Sequence, residues 1–209
     1  MSSVIEVAPP RAKLSHLPLE QRRGIHAMWC LIATEAMLFA CMFAAYYYLG
    51  NNKDRWAQES APELIFPFSL LAILLSSSAI LYWGERQLKA HNYSRARLAV
   101  WVTIVFGLGF LSLQGFEYYS EWMNIAPYSD SYGSAFYAIT MLHGAHVCVG
   151  LLLLFYLGIL PRYGETERTP HQPYETLSMY WHFVDAVWIF IVVLLYVIPH
   201  FQRLHHHAL

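Results

Sequence analysis

SAFYAITMLHGAHVCVGLLLLFYLGIL, residues 134–160, runs for 27 residues without one Asp, Glu, Lys or Arg. A helix rises about 1.5 Å per residue, so this stretch outreaches the roughly 30 Å of hydrocarbon in a bilayer. A helix apolar on every side has no place on the surface of a soluble domain. The reading of this segment decides the fold: the chain crosses a membrane.

Working outward, four more segments are long and apolar enough to span, at about 27–49, 64–83, 98–116 and 180–198. No strand-like alternation competes with them. The expected fold class is therefore an all-α integral membrane protein, a bundle of five transmembrane helices. Composition agrees: 57% of residues are hydrophobic and 13% charged, against about a quarter charged in soluble domains. The 13 Lys and Arg nearly cancel the 14 Asp and Glu, which gives no support to a nucleic-acid partner.

Residues 1–24 form a polar tail with Pro9, Pro10 and Pro18 but no apolar core, so they do not read as a cleaved secretory signal. Residues 25–199 form the membrane domain, joined by connections too short for a soluble module, and 200–209 form a second polar tail that includes His205, His206 and His207. Lys and Arg gather on the cytoplasmic side of membrane proteins. Arg11, Lys13, Arg22, Arg23, Arg86, Lys89, Arg95, Arg97, Arg162 and Arg168 fall on one side, against Lys53, Arg55 and Arg203 on the other. This places the N-terminus in the cytoplasm and the C-terminus outside. Cys30, Cys41 and Cys148 lie in apolar stretches without metal-site or redox-pair spacing and read as small packing residues.

A charge at the bilayer centre costs at least ~2.5–3.5 kcal/mol, so every ionisable residue there needs a partner or a task. Glu35, Glu117, His143, His146, His182 and Asp185 qualify. Counting rise per residue puts Glu35 roughly 12 Å and Asp185 roughly 9 Å from the cytoplasmic edge, with His146 about 18 Å below the outer one. Glu35 and a histidine of the fourth span, His146 or His143, thus share a level and are expected to hydrogen-bond. His143 and His146 stand three residues apart, a spacing that also suits metal ligands, but the chain has no Glu-x-x-His pair for a di-iron bundle. A b-type haem held by His146 and His182 stays open, as does a proton-coupled carrier lined by Glu35 and Asp185. Ala36, Ala40 and Ala44 recur at four-residue intervals and predict a close helix contact; Gly107, Gly109, Gly115, Gly144 and Gly150 suggest others. Tyr46, Tyr47, Tyr48, Tyr118, Tyr119, Trp122 and Trp181 cluster near span ends, where headgroup-level anchors are expected.

Four motifs stand in order along the chain: WCLIATEAMLF (29–39), QGFEYY (114–119), YGSAFYAITMLHGAHVCVG (132–150) and YWHFVDAVW (180–188). Together they resemble the subunit III family of haem-copper terminal oxidases, in its short five-helix bacterial form. Longer members have two further N-terminal helices that help build a phospholipid-filled cleft. The resemblance implies a non-catalytic subunit in the inner membrane of a bacterium. It would pack directly on subunit I beside subunit II, bind phospholipid, support proton uptake and protect the oxidase during turnover. Haem and copper are expected in the partner subunits and no metal or cofactor in this chain; cytochrome c is the commoner electron donor and quinol the alternative. A homologue associated with nitric oxide reduction is a further reading. By the same resemblance Glu35 corresponds to the family's buried carboxyl, and Glu117, His143, His146, His182 and Asp185 to positions in polar contacts between helices. Arg162, at the cytoplasmic end of the fourth span, reads either as a lipid phosphate contact or as an ordinary interfacial Arg.

Overall fold

Hydrocarbon offers the backbone no hydrogen-bond partners, so each apolar run has to satisfy its own amides and carbonyls. The computed structural model describes residues 17–51, 64–121, 131–159 and 171–201. Its elements are α1 (Leu17–Asn51), α2 (Ile65–Lys89), α3 (Tyr93–Glu121), α4 (Ser131–Ile159) and α5 (His171–Ile191), the last continued by a π-helical turn, Val192–Val197. Each of the five helices is long and apolar enough to cross a membrane, and among the described residues no strand occurs. Arg162 lies outside the described residues, as do Arg11, Lys13, Lys53, Arg55, Trp122, Arg168, Arg203 and His205 to His207.

The helices outrun the apolar windows. α5 starts at His171, because the turns HQPYETLS are polar enough to escape a hydropathy count yet continue the same helix. Asp185 then stands 14 residues after His171, or about 21 Å along the axis from the start of α5.

α2 packs on α3 and α5, and α4 packs on the same two helices, which closes a four-helix ring; α1 docks outside it against α4 and α5. α2 faces the ring with Leu70, Leu74, Leu81 and Leu88, and α5 with Trp181, Val184, Trp188, Ile191 and Leu195. The α2–α3 connection is tight: His91 takes a positive φ of 60°. Its N–H donates to Leu88 O at 3.0 Å, and that of Asn92 to Gln87 O at 2.9 Å, so two end carbonyls of α2 are satisfied. Arg97, at the start of α3, donates from Nε to Gly158 O at the end of α4 at 3.0 Å. In the π-turn the N–H of Ile198 reaches back five residues to Val193 O.

α1 is the least covered element: 6% of its most apolar stretch is buried, against 50% for α5. It meets its neighbours through Glu35, Phe39 and Tyr46, so the expected contact through Ala36, Ala40 and Ala44 does not form and all three are exposed. Small residues permit close approach but do not say which face is approached. Cys30, Cys41 and Cys148 are likewise exposed, not packed. The glycines divide: a Cβ at Gly107 would come within 2.6 Å of Leu151 Cδ2, and one at Gly150 within 2.9 Å of the Trp181 ring, whereas Gly109, Gly115 and Gly144 have nothing within 4 Å. Trp181 and Tyr46, read from sequence as headgroup anchors, are buried, while Tyr47, Tyr48 and Tyr119 are exposed.

Candidate functional site

The buried polar residues are distributed over three helix seams. At the α1–α4 seam, Glu35 Oε2 lies 3.0 Å from His146 Nε2. His146 Nδ1 is 2.8 Å from Leu142 O; a carbonyl only accepts, so Nδ1 carries the hydrogen. Nε2 therefore either accepts a proton from the Glu35 carboxyl or, in an imidazolium, donates one to the carboxylate. The pair shares a single proton in both cases. Tyr180 of α5 adds a hydroxyl donated to His146 O at 3.3 Å, and the Phe39 ring packs 5.0 Å from the imidazole.

At the α2–α5 seam, His182 stands between two hydroxyls, Ser78 Oγ at 2.7 Å from Nδ1 and Ser178 Oγ at 3.2 Å from Nε2. A neutral imidazole has one donor and one acceptor nitrogen, so one serine gives and the other takes. Next to it Trp181 Nε1 donates to Ser77 Oγ at 2.9 Å, and Thr103 of α3 donates to Ala99 O at 2.9 Å and Ser77 O at 3.3 Å. Nearer the start of α5 and the end of α2, Tyr174 donates to Leu81 O at 3.0 Å, an approach made possible by Gly84, where a Cβ would collide with the tyrosine hydroxyl. Asp185 is buried on the same seam near Ser78, with neither carboxyl oxygen in a hydrogen bond.

At the far end of the bundle, Gln114 Nε2 donates to Glu117 Oε2 at 2.9 Å and the Tyr196 hydroxyl to Glu117 Oε1 at 3.2 Å. This joins α3 to the π-turn after α5. Glu117 is 2% exposed, and two donated hydrogen bonds are what a buried carboxyl requires.

His143 belongs to none of these seams. It is boxed by Phe39, Phe110 and Trp188, with ring centroids 6.5, 5.8 and 4.9 Å away, and neither ring nitrogen has a hydrogen-bond partner. The structure thus brings Glu35 to His146 and not to His143, and keeps Glu117, His182 and Asp185 apart from that pair. All four ring nitrogens of His146 and His182 are engaged, on different seams. Glu35 and Asp185 stand on different seams, beside His146 and Ser78. Among the described residues no three His, Cys, Asp or Glu side chains converge as a metal site. Ser77, Ser78, Ser178, Tyr174, Tyr180 and Tyr196 join these seams without being among the site residues expected from sequence. The serine run at 76–78 inside an apolar span was a usable signal, but the tyrosine donors, each an ordinary apolar ring by composition, offered none.

A family model described as cytochrome c oxidase subunit III matches residues 15–199. A cytochrome c oxidase subunit 3 from Thermostichus vulcanus is 32% identical over 174 residues, covering 81% of this chain and 85% of its own length. One from Alkalihalophilus pseudofirmus is 31% identical over 184 residues, with 85% and 88% covered. One from Arabidopsis thaliana is 35% identical over 174 residues, 79% of this chain but 64% of that longer protein.

Proposed function

The chain belongs to the cytochrome c oxidase subunit III family, and from that premise we propose that it serves its oxidase by packing and by holding lipid, with no redox centre of its own. It is a subunit III of a haem-copper oxidase and a multi-pass membrane protein. In this reading the haem and copper reside in partner chains, subunit I packs directly on the bundle and subunit II completes the core. Electrons arrive from cytochrome c through those partners. The bundle steadies the catalytic subunit and so keeps proton uptake fast. Phospholipid occupies its apolar flanks, with Arg162 as a phosphate contact. The membrane is the cytoplasmic membrane of a bacterium, the N-terminus inside, because ten of the thirteen basic residues fall on that side.

One observation carries this reading: Glu35, His182 and Glu117 each reach a partner on another helix of the same chain. Glu35 fastens α1 to α4 through His146, His182 fastens α5 to α2 through Ser78, and Glu117 fastens α3 to the end of α5 through Tyr196. A haem on His146 and His182 would take one ring nitrogen from each and so break a hydrogen bond on each of two seams. Buried polar contacts of this kind specify which helices meet, in a solvent that gives apolar side chains little reason to associate.

The test is purification in gentle detergent, followed by identification of partner chains and an optical spectrum of the separated subunit. The chain is expected to co-purify with a haem-bearing subunit and to be colourless alone. A stoichiometric Soret band from the isolated chain would overturn the proposal, and oxidation of quinol but not of cytochrome c by the complex would overturn the assigned donor.

A further inference from the structure

Five buried polar atoms without a hydrogen-bond partner gather on three side chains in the middle of the bundle: both nitrogens of His143, both carboxyl oxygens of Asp185, and Trp188 Nε1. All three residues are at least nine-tenths buried, at 1%, 4% and 0% exposure. They are also neighbours. The Trp188 indole lies against the His143 imidazole with centroids 4.9 Å apart and planes at 30°. Asp185 precedes Trp188 by three residues, one turn away on adjoining faces of α5. Phe110 of α3 closes the side, 5.8 Å from His143 and 5.0 Å from Trp188.

Depth adds to this. His143 is ten residues into the span that begins at Gly133, and Asp185 is 12 into the span that begins at Pro173. These distances, about 15 and 18 Å along the helix axes, put both well inside their spans. An uncompensated polar group is costliest at that depth, and orphaned buried groups in native proteins are rare.

The chemistry of the three groups is complementary without being self-sufficient. An indole N–H only donates, a carboxylate only accepts, and a neutral imidazole offers one of each. The His143 and Trp188 rings meet at a tilt of 30°, and no nitrogen of either is in a hydrogen bond with the other ring. Water, which donates and accepts, is the one small molecule that serves all three, and buried waters typically make about three such bonds.

We propose that the interior of the bundle holds ordered internal water well within the spans, bound by His143, Asp185 and Trp188. Ser78, close to Asp185 and bonded to His182, continues the hydrated cluster into the α2–α5 seam. The cluster is separate from the Glu35–His146 pair, whose polar atoms are already matched.

The test is a structure of the intact oxidase in lipid nanodiscs at a resolution that shows ordered solvent. A solvent peak within hydrogen-bond distance of polar atoms from at least two of the three residues is the expected result. The absence of such a peak overturns the proposal, whether the side chains bond one another directly or remain unbonded. A second measurement uses the infrared O–H stretching bands of the complex in H2(18)O. Trp188→Phe keeps the ring and removes the donor, so at least one isotope-sensitive band should shift or vanish relative to the natural complex. Should that variant fail to assemble, Asp185→Asn serves in its place. Isotope-sensitive bands unchanged in the assembled variant would count against the water as firmly as an empty map.

Discussion

Glu35 and His146 meet across the α1–α4 seam at 3.0 Å, and the other nitrogen of that histidine is already committed to Leu142 O. The contact is thus the only polar use left for Nε2, and it anchors the helix with the smallest buried share. Glu35→Gln keeps a donor, its amide N–H, for a neutral Nε2, whereas Glu35→Ala leaves the nitrogen alone. The alanine variant should lose roughly 1–3 kcal/mol and the glutamine variant much less, read as the thermal midpoint at which the subunit leaves the complex. A midpoint for Glu35→Ala equal to that of the natural chain would mean that the bond carries no load.

The indole of Trp181 donates to Ser77 at 2.9 Å inside the ring of four helices. A double-mutant cycle with Trp181→Phe and Ser77→Ala should return a coupling of about 1 kcal/mol. Strictly additive losses would show that the two residues interact only by filling space.

Gly107 and Gly150 receive the same tryptophan from α3 and α4, while Gly109 and Gly144 face open space. Adding a methyl at the first two should cost about 1–3 kcal/mol through overpacking. At the other two it should be neutral, or stabilising by up to roughly 1 kcal/mol through helix propensity. Detergent-titrated unfolding of the complex measures all four, and equal effects at the two sets would contradict this packing.

Tyr196→Phe removes a donor from a carboxyl that is 2% exposed. We expect a loss of about 1–3 kcal/mol and faster amide exchange in the last turns of α5. Tyr119→Phe, at a ring 82% exposed, is the control and should change neither. Unaltered exchange in the Tyr196 variant would remove the link between Glu117 and the end of the bundle.

The five crossings are legible in the sequence because lipid leaves a long apolar run no alternative to a helix. Depth is legible too, since rise per residue is constant: it brings Glu35 level with the fourth span. Choosing between His143 and His146 is beyond such counting. Two positions three apart lie only about 60° apart around a helix, and it is the packing of Phe39 and Trp188 that turns one ring toward α1 and encloses the other. Trp181 reads as a headgroup anchor only because the polar turns before it hide two turns of α5. Ala36, Ala40 and Ala44 read as a contact face because composition alone does not distinguish the side of a helix that meets protein from the side that meets lipid.

The π-turn at Val192–Val197 amounts to one residue inserted into a helix that is otherwise regular. Its consequence is a matter of phase. Excising a single residue between Val192 and Leu195 would close the bulge and leave everything that follows in phase, whereas the same excision in the regular turns before it would rotate the rest by about 100° and swing the Tyr196 ring away from α3. The far end of this bundle is therefore indexed by chain length as much as by residue identity. In those earlier turns, a deletion too small to alter hydropathy would part Tyr196 from the Glu117 carboxyl.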